Sequence, residues 1–183
     1  MTEKEKMLNG ELYNSTDKDL VADRLYAKSL CYEYNKLQYS ERREMNDIIS
    51  NLFGKVGENF NIEPNFFCDY GYNIEIGENF YSNHNLVILD CAKVTFGDNV
   101  MIGPNCGFYT AGHPIDAKTR NTLLEFAKPI TVGDNVWFGG NVTVNPGVTI
   151  GDNCVIGSGS VVTKNIPTNT VAAGNPCKVI RYI

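Results

Sequence analysis

Apolar residues recur at every sixth position through the C-terminal half of the chain. The hexads VGDNVW, FGGNVT, VNPGVT, IGDNCV and IGSGSV begin at residues 132, 138, 144, 150 and 156, and FAKPIT at 126 keeps the spacing. Upstream, IGENFY at 76, FGDNVM at 96 and IGPNCG at 102 share the pattern. One inward apolar residue per hexad, beside small residues and the Asn and Asp that tolerate tight corners, predicts stacked coils of short strands.

One segment, YTAGHPIDAKTRN at residues 109–121, interrupts these hexads. Phe108 and Phe126 are 18 residues apart, which is three hexads. We therefore expect an inserted loop over 109–125, after which the coils resume in register at Phe126. The 20 residues between 76 and 96 indicate a two-residue irregularity around Asp90–Val94. Since strands pair only with the next coil, the two end coils need covering elements.

The apolar spacing is helical before residue 59. SERREMNDIISNLFG (40–54) predicts a helix that Ser40 caps at its start and Gly54 ends. Its apolar residues fall on one helical face: Met45, Ile48, Ile49 and Leu52.

A second helix is predicted over TDKDLVADRLYAKSLCYEYNKL (16–37), where Asp17 or Asp19 suits the N-terminal end of the helix dipole. The chain thus divides into a helical segment over 1–58 and a solenoid over 59–183. The solenoid contains the inserted loop and ends in a tail over 164–183.

Composition narrows the function classes. A net charge of −5 argues against non-specific nucleic-acid binding. The charged N-terminus lacks the apolar core of a signal peptide, and no apolar run suits a membrane span, so we expect a cytoplasmic protein. Six cysteines without a C-x-x-C pair are interpreted as small buried apolar residues rather than disulfides or zinc ligands.

These hexads resemble those of the hexapeptide-repeat acyltransferases. Together with EKEKMLNGELYNSTDKDL, TAGHPID, ITVGDNVWFGGNVTVNPGVTIGDN and VAAGNPCKVIR, they resemble the maltose/galactoside O-acetyltransferase branch over essentially the whole chain. The resemblance implies an all-β left-handed parallel β-helix of triangular section with an N-terminal α-helical segment. It also implies acetyl transfer from acetyl-CoA to a sugar hydroxyl without a metal or covalent intermediate, in a homotrimer with inter-subunit active sites.

The resemblance assigns two catalytic residues. His113 matches the family's loop histidine and would act as general base, since a hydroxyl is a poor nucleophile at neutral pH. Asn83, in FYSNHN, would donate to the oxyanion of the tetrahedral intermediate, with Asn85 as its rival. His84 has no matching family role and is interpreted as structural.

For the sugar acceptor, Arg24 matches the family pattern. The accompanying aspartate is Asp17 in the maltose-type pattern, whereas an ungapped galactoside-type alignment reaches Ser15. The further acceptor candidates are Tyr81, Asp90 and Glu125, of which Glu125 would orient His113.

For the coenzyme, Trp137 matches the aromatic position beside the pantetheine arm, and Gly140 and Ser158 match backbone-contact positions. The remaining candidates lie near the C-terminus, where cations suit a polyphosphate: Thr163, Lys164, Lys178 and Arg181.

Three alternatives stay open. A γ-type carbonic anhydrase shares the fold but needs three histidine ligands for zinc, and the chain has only two histidines. A non-catalytic solenoid would act as a scaffold and would need no loop histidine. An acyltransferase with a different acceptor, such as serine, a xenobiotic or a nodulation factor, would keep the same chemistry.

Overall fold

The computed structural model describes all 183 residues, and its hexads form a parallel β-solenoid of about six turns. Each coil contributes one short strand to each of three sheets, which we call faces 1, 2 and 3. Face 1 contains β2 (Phe60–Ile62), β5 (Phe80–Ser82), β8 (Met101–Ile102), β13 (Trp137–Phe138), β16 (Val155–Ile156), β18 (Thr170–Ala173) and β19 (Lys178–Tyr182).

The other two faces complete the prism. Face 2 contains β3 (Phe66–Cys68), β6 (Leu86–Leu89), β9 (Gly107–Tyr109), β14 (Thr143–Val144) and β17 (Val161–Val162). Face 3 contains β4 (Ile74–Ile76), β7 (Val94–Phe96), β12 (Ile130–Val132) and β15 (Thr149–Ile150).

Strand register confirms the repeat and locates its irregularity. In the late coils, Val132 pairs with Ile150, which is the 18-residue step of three hexads. In the early coils, Ile76 pairs with Phe96, a 20-residue step. The two extra residues lie between faces 2 and 3, at 90–93 as predicted and also at 69–73 in the preceding coil. We call this corner of the prism the looped edge.

The long insertion predicted after Phe108 also lies at the looped edge, between β9 and β12. Phe96 pairs directly with Val132, so one 18-residue coil's length of chain is inserted without loss of register. The prediction that the coils resume at Phe126 is wrong. Phe126 lies in β11 (Leu124–Ala127), which pairs antiparallel with β10 (Ala111–Gly112), and the solenoid resumes at β12. We call residues 110–129 the arm.

Inward side chains of successive coils interlock in the core. Phe80, Phe96, Phe108 and Phe138 are buried and stack edge to face, with centroid separations of 5.2, 4.9 and 5.2 Å. This is the favourable geometry for aromatic pairs, worth about 1 kcal/mol each beyond area burial. The apolar position of the hexad therefore sets the coil-to-coil register.

The asparagine of the hexad forms a ladder along the edge between faces 3 and 1. Each rung has a φ near +57°, a left-handed conformation that asparagine tolerates better than other non-glycine residues. Each side-chain amide donates to the next rung at 2.9–3.2 Å. The rungs are Asn79, Asn99, Asn135, Asn153 and Asn169.

Helices occupy the N-terminal segment, as expected. They are α1 (Glu3–Leu8), α2 (Lys18–Lys36) and α3 (Arg42–Leu52), with β1 (Tyr13–Asn14) between the first two. The predicted apolar face of α3 is confirmed, since Met45, Ile49 and Leu52 are buried and Ile48 is partly buried.

The predicted Ser40 cap of α3 is wrong. Ser40 lies within a 3₁₀ turn, Tyr39–Glu41, and α3 begins after Glu41 without a side-chain cap. A serine that caps a helix normally has an extended backbone just before the first helical residue. Here the 3₁₀ turn runs directly into α3, so Ser40 is not in that position.

Helix α2 closes the open end of the solenoid. The Asn35 side chain accepts from the Phe66 N–H at 2.8 Å and donates to the Phe66 carbonyl at 2.9 Å. Tyr34 and Arg42 donate to the Ile62 carbonyl. Side chains thus satisfy backbone groups of the first coil that have no preceding strand, which confirms the expected covering element. At the other end, β19 turns back antiparallel on β18.

The six cysteines are all buried, as interpreted from their spacing. No helix combines the length and apolar character needed to cross a bilayer.

Candidate functional site

The looped edge holds a polar cavity beneath α2. Its volume is about 160 Å³, and it is lined by Ser15, Arg24, Asp69, Cys91 and Glu125. These residues come from five separate parts of the chain: the segment before α2, α2 itself, each of the two enlarged corners and the arm. The cavity exists because the extra residues of successive coils stack at one edge.

Arg24 and Ser15 form one wall of this cavity. The guanidinium donates to the Ser15 carbonyl and to the Tyr70 hydroxyl, both at 2.6 Å. Asp17 is used elsewhere, because its carboxylate accepts from the Asp19 and Leu20 N–H groups and caps α2. Of the two positions left open by the sequence, Ser15 therefore lines the cavity and Asp17 is the helix cap.

Asp90 lies behind the cavity rather than in it. It is fully buried, and its Oδ1 accepts from the N–H groups of Asp69 and Tyr70 at 3.0 and 2.9 Å, while Oδ2 has no partner. Burial raises the pKa of Asp90 to about 6. Asp90 thus braces the 69–73 corner and does not line the cavity.

Asp69 and Cys91 are the cavity residues that sequence reasoning missed. The Cys91 thiol donates to Asp69 Oδ2 at 3.5 Å, and burial raises the pKa of both groups. The one signal for them was the spacing irregularity itself, since both sit at corners that carry two extra residues.

His113 stands at the tip of β10, on the arm above the cavity. Gly112 is required there, because a Cβ atom would lie 2.6 Å from the Phe126 ring. The His113 Nδ1 lies 3.3 Å from the Leu124 carbonyl oxygen and its Nε2 lies 4.0 Å from Glu125 Oε1. The buried Tyr13 hydroxyl donates to Glu125 Oε2 at 2.7 Å. Neighbouring strands of one small sheet, β10, β11 and β1, thus bring histidine, glutamate and tyrosine together.

A second group of predicted residues lies at the corner between faces 1 and 2, which we call the first edge. Asn83, Gly140 and Ser158 lie at this corner in three different coils. The Asn83 Oδ1 accepts from the His84 N–H at 2.7 Å and its amide group has no protein partner. Asn85 instead donates to Asn105 in a side-chain ladder at 2.9 Å. The His84 ring contacts the Pro64 carbonyl.

Face 1 continues this second group. Tyr81, Met101 and Trp137 are paired neighbours on its outer surface, and Trp137 is 52% exposed. Lys178 and Arg181 are exposed on β19 of the same face. The structure therefore places Tyr81 on the same face as Trp137, with Met101 between them, and not in the polar cavity.

Thr163 and Lys164 lie on the looped edge, the same edge as the polar cavity, and not on the first edge. They follow β17 and are exposed at the looped edge, several coils beyond the cavity. The predicted residues of the chain thus divide between two edges at opposite sides of face 2. No group of three or more His, Cys, Asp and Glu side chains is arranged to hold a metal ion.

Comparisons with known proteins agree with this architecture. The family model described as the maltose acetyltransferase hexapeptide capping motif matches residues 6–57, and the bacterial transferase hexapeptide model, with six repeats, matches residues 129–164. The galactoside O-acetyltransferase of Escherichia coli K12 is 48% identical over 179 residues, which cover 98% of this chain and 88% of that protein.

Two solved structures match over the whole chain. The crystal structure of a maltose O-acetyltransferase from Clostridium difficile 630 has 55% identity and a TM-score of 0.99, covering 100% of this chain and 98% of that one. A galactoside acetyltransferase in complex with coenzyme A has 48% identity and a TM-score of 0.97, covering 100% and 92%. The expected fold, a left-handed parallel β-helix with an N-terminal helical segment, is confirmed.

Identity at this level across the full length makes the chain an enzyme of the hexapeptide-repeat acyltransferase class. Within that class, it belongs to the family that contains the maltose and galactoside O-acetyltransferases.

Proposed function

We propose that this chain transfers the acetyl group of acetyl-CoA directly to a sugar hydroxyl, with His113 as the general base. The observation that carries the proposal is the position of His113, held against Leu124 and Glu125 above a polar cavity that contains Arg24 and Asp69. A sugar presents many hydroxyl groups, and this cavity offers both donors and acceptors to them.

The contacts of His113 suit a base. An Nδ1–H group donating to the Leu124 carbonyl leaves the Nε2 lone pair free to accept the proton of the acceptor hydroxyl. The imidazolium so formed has Glu125 at 4.0 Å to stabilise its charge. After the hydroxyl oxygen attacks the thioester carbonyl, the tetrahedral intermediate collapses, and the imidazolium returns its proton to the departing CoA sulfur.

Asn83 is the proposed oxyanion donor. Its side-chain oxygen is occupied by the His84 N–H, which turns the NH₂ group outward without a protein partner. Asn85, the rival, is committed to the ladder with Asn105. A donor already oriented by a backbone contact stabilises developing negative charge without reorganisation.

Direct transfer is favoured over an acetyl-enzyme. The one thiol in the cavity is Cys91, and burial together with the nearby Asp69 carboxylate raises the pKa of that thiol. A thiol held protonated is a poor nucleophile, because the thiolate is the reactive form. No covalent intermediate on Cys91 is therefore part of the proposal.

The coenzyme is proposed to lie along the first edge. Trp137 would pack on the pantetheine arm, and the exposed backbone at Gly140 and Ser158 would meet its amides. Lys178 and Arg181 would hold the phosphates.

The division between two edges supports a shared site. The looped edge carries His113, Glu125, Thr163 and Lys164, whereas the first edge carries Asn83 and the coenzyme positions. Because face 2 separates these edges, base and oxyanion donor meet only if the looped edge of one copy faces the first edge of another. A cyclic trimer repeats this contact three times and closes on itself.

The test measures CoA thiol release with acetyl-CoA and a panel of glucose, maltose, galactosides and chloramphenicol. We expect a sugar in this panel to be acetylated, and His113→Ala to reduce the rate at least about 10²-fold. His84→Ala, the matched histidine control, retains activity. Equal background rates for wild type and His113→Ala on every acceptor contradict the proposal, as does an acetylated Cys91 in the mass spectrum during turnover.

A further inference from the structure

Two thiols that have no part in the proposed chemistry face each other between α2 and β3. The Sγ atoms of Cys31 and Cys68 are 3.8 Å apart, and both cysteines are reduced and buried. Cys91, Cys106 and Cys154 donate to oxygen acceptors instead. The Cys31–Cys68 contact is therefore the one close sulfur pair in the chain.

The pair borders the largest cavity of the molecule. This cavity has a volume of about 500 Å³, and its walls include the aromatic rings of Tyr32 and Phe67 as well as both thiols. Cys31 and Cys68 are only 2% and 5% exposed, but both line this cavity, which gives a small molecule a route to the pair. Most buried cysteines lack such access and are inert for that reason.

The two thiols are not equivalent. Either thiol can donate in the contact between Cys31 and Cys68. When Cys68 donates, it stabilises the Cys31 thiolate and lowers the pKa of Cys31, whereas this contact and burial raise the pKa of Cys68. Cys31 is thus the nucleophile of the pair and Cys68 the resolving thiol, which is the arrangement found in redox-sensitive cysteines.

We propose that Cys31 and Cys68 form a peroxide-sensitive thiol pair that closes to a disulfide between α2 and β3. The Cys31 thiolate attacks a peroxide oxygen and becomes a sulfenic acid as the O–O bond breaks and hydroxide leaves. Cys68 sulfur then attacks the Cys31 sulfur, and the sulfenic oxygen departs as water with the Cys68 proton. One H₂O₂ is reduced to two molecules of water as two thiols are oxidised to one disulfide.

The required movement is small. A disulfide bond is about 2 Å long, so the two sulfur atoms, now 3.8 Å apart, need to approach by roughly 2 Å. The new bond would fix α2, which carries Arg24, to the strand followed by Asp69. The covalent test below is independent of catalytic activity.

The test treats the reduced, folded full-length protein with a few equivalents of H₂O₂, denatures it and alkylates the remaining thiols. We expect four alkylated cysteines instead of six, and a linked peptide pair containing Cys31 and Cys68. Cys31→Ser and Cys68→Ser should abolish the cross-link, whereas Cys106→Ser, the matched buried control, should retain it. Six alkylated thiols after peroxide, or sulfinic acid on Cys31 without a cross-link, overturn the proposal.

A second measurement needs no variant. Phenylarsine oxide condenses with two neighbouring thiols, forming two As–S bonds and releasing one water. We expect native mass spectrometry to show one arsenical per chain, with Cys31 and Cys68 protected from alkylation. An adduct on any other cysteine, or no adduct at all, counts against the pair.

Discussion

Asp90→Asn isolates the energetic cost of a buried charge at the site's inner wall. The fully buried Asp90 carboxylate holds the 69–73 corner through two backbone N–H groups and leaves Oδ2 without a partner. Asparagine can keep the oxygen that accepts both bonds, and it carries no charge. Any penalty for its unpartnered NH₂ group is independent of pH, so the pH dependence reports on ionisation alone.

The magnitude follows from the pKa of Asp90, about 6 in the folded chain against 3.8 for an unperturbed aspartate. The folded state holds the proton more tightly than the unfolded state, so stability falls as pH rises from below 3.8 to about 6 and is level above it. The full penalty is about 3 kcal/mol, of which roughly 2 kcal/mol develops between pH 4 and pH 7.5.

The assay is urea or thermal unfolding of wild type and Asp90→Asn at pH 4 and pH 7.5, at one fixed protein concentration because association contributes to stability. The stability difference should shift in favour of the variant by roughly 2 kcal/mol at the higher pH, or by roughly 4–8 °C in Tm. A difference that is the same at both pH values refutes the reasoning, because it shows that the buried carboxylate has an ordinary pKa.

Three further substitutions test the helical cap of the solenoid, the proposed coenzyme contact on face 1 and the positioning of the proposed general base. Asn35→Ala leaves two Phe66 backbone groups without partners and should lower the free energy of unfolding by about 2 kcal/mol; an unchanged denaturation midpoint contradicts the capping role. Trp137→Ala should raise the KM for acetyl-CoA about tenfold, equivalent to about 1.4 kcal/mol, with the acceptor KM unchanged; a change confined to the acceptor KM reverses the assignment. Tyr13→Phe removes the donor to Glu125 and should lower kcat about tenfold with little change in the KM for acetyl-CoA; wild-type kcat shows that this contact does not position the base.

Features that repeat were predictable from the sequence. The coils, their two-residue irregularity and the apolar face of α3 each follow from a period that packing enforces at every turn. The preservation of register across the interruption was also correct, since Phe96 pairs directly with Val132. The residue at which the arm ends was predicted wrongly. The sequence FAKPIT has the residue pattern of a hexad, but Phe126 pairs antiparallel with Gly112 of β10. Spacing alone does not distinguish parallel pairing with a neighbouring coil from antiparallel pairing within an arm.

The cavity was less predictable than the fold. Asp69 and Cys91 belong to no motif, and only the stacking of two enlarged corners brings them beside Arg24. Asp90 was predicted as an acceptor residue, but its side chain turns inward to the backbone of the neighbouring corner. Which side of a corner a polar residue faces depends on contacts between coils, and a single sequence does not display them.

The looped edge has a consequence for where the chain can take up insertions. Two of its corners carry two extra residues each and a third carries eighteen. The strands on either side of these corners nevertheless stay paired in register with the strands of the adjacent coils. Insertions are therefore absorbed at one corner of the prism without shifting the hexads that lie along the first edge. A foreign arm can therefore be grafted between Tyr109 and Ile130 while the strands of the solenoid keep their pairing.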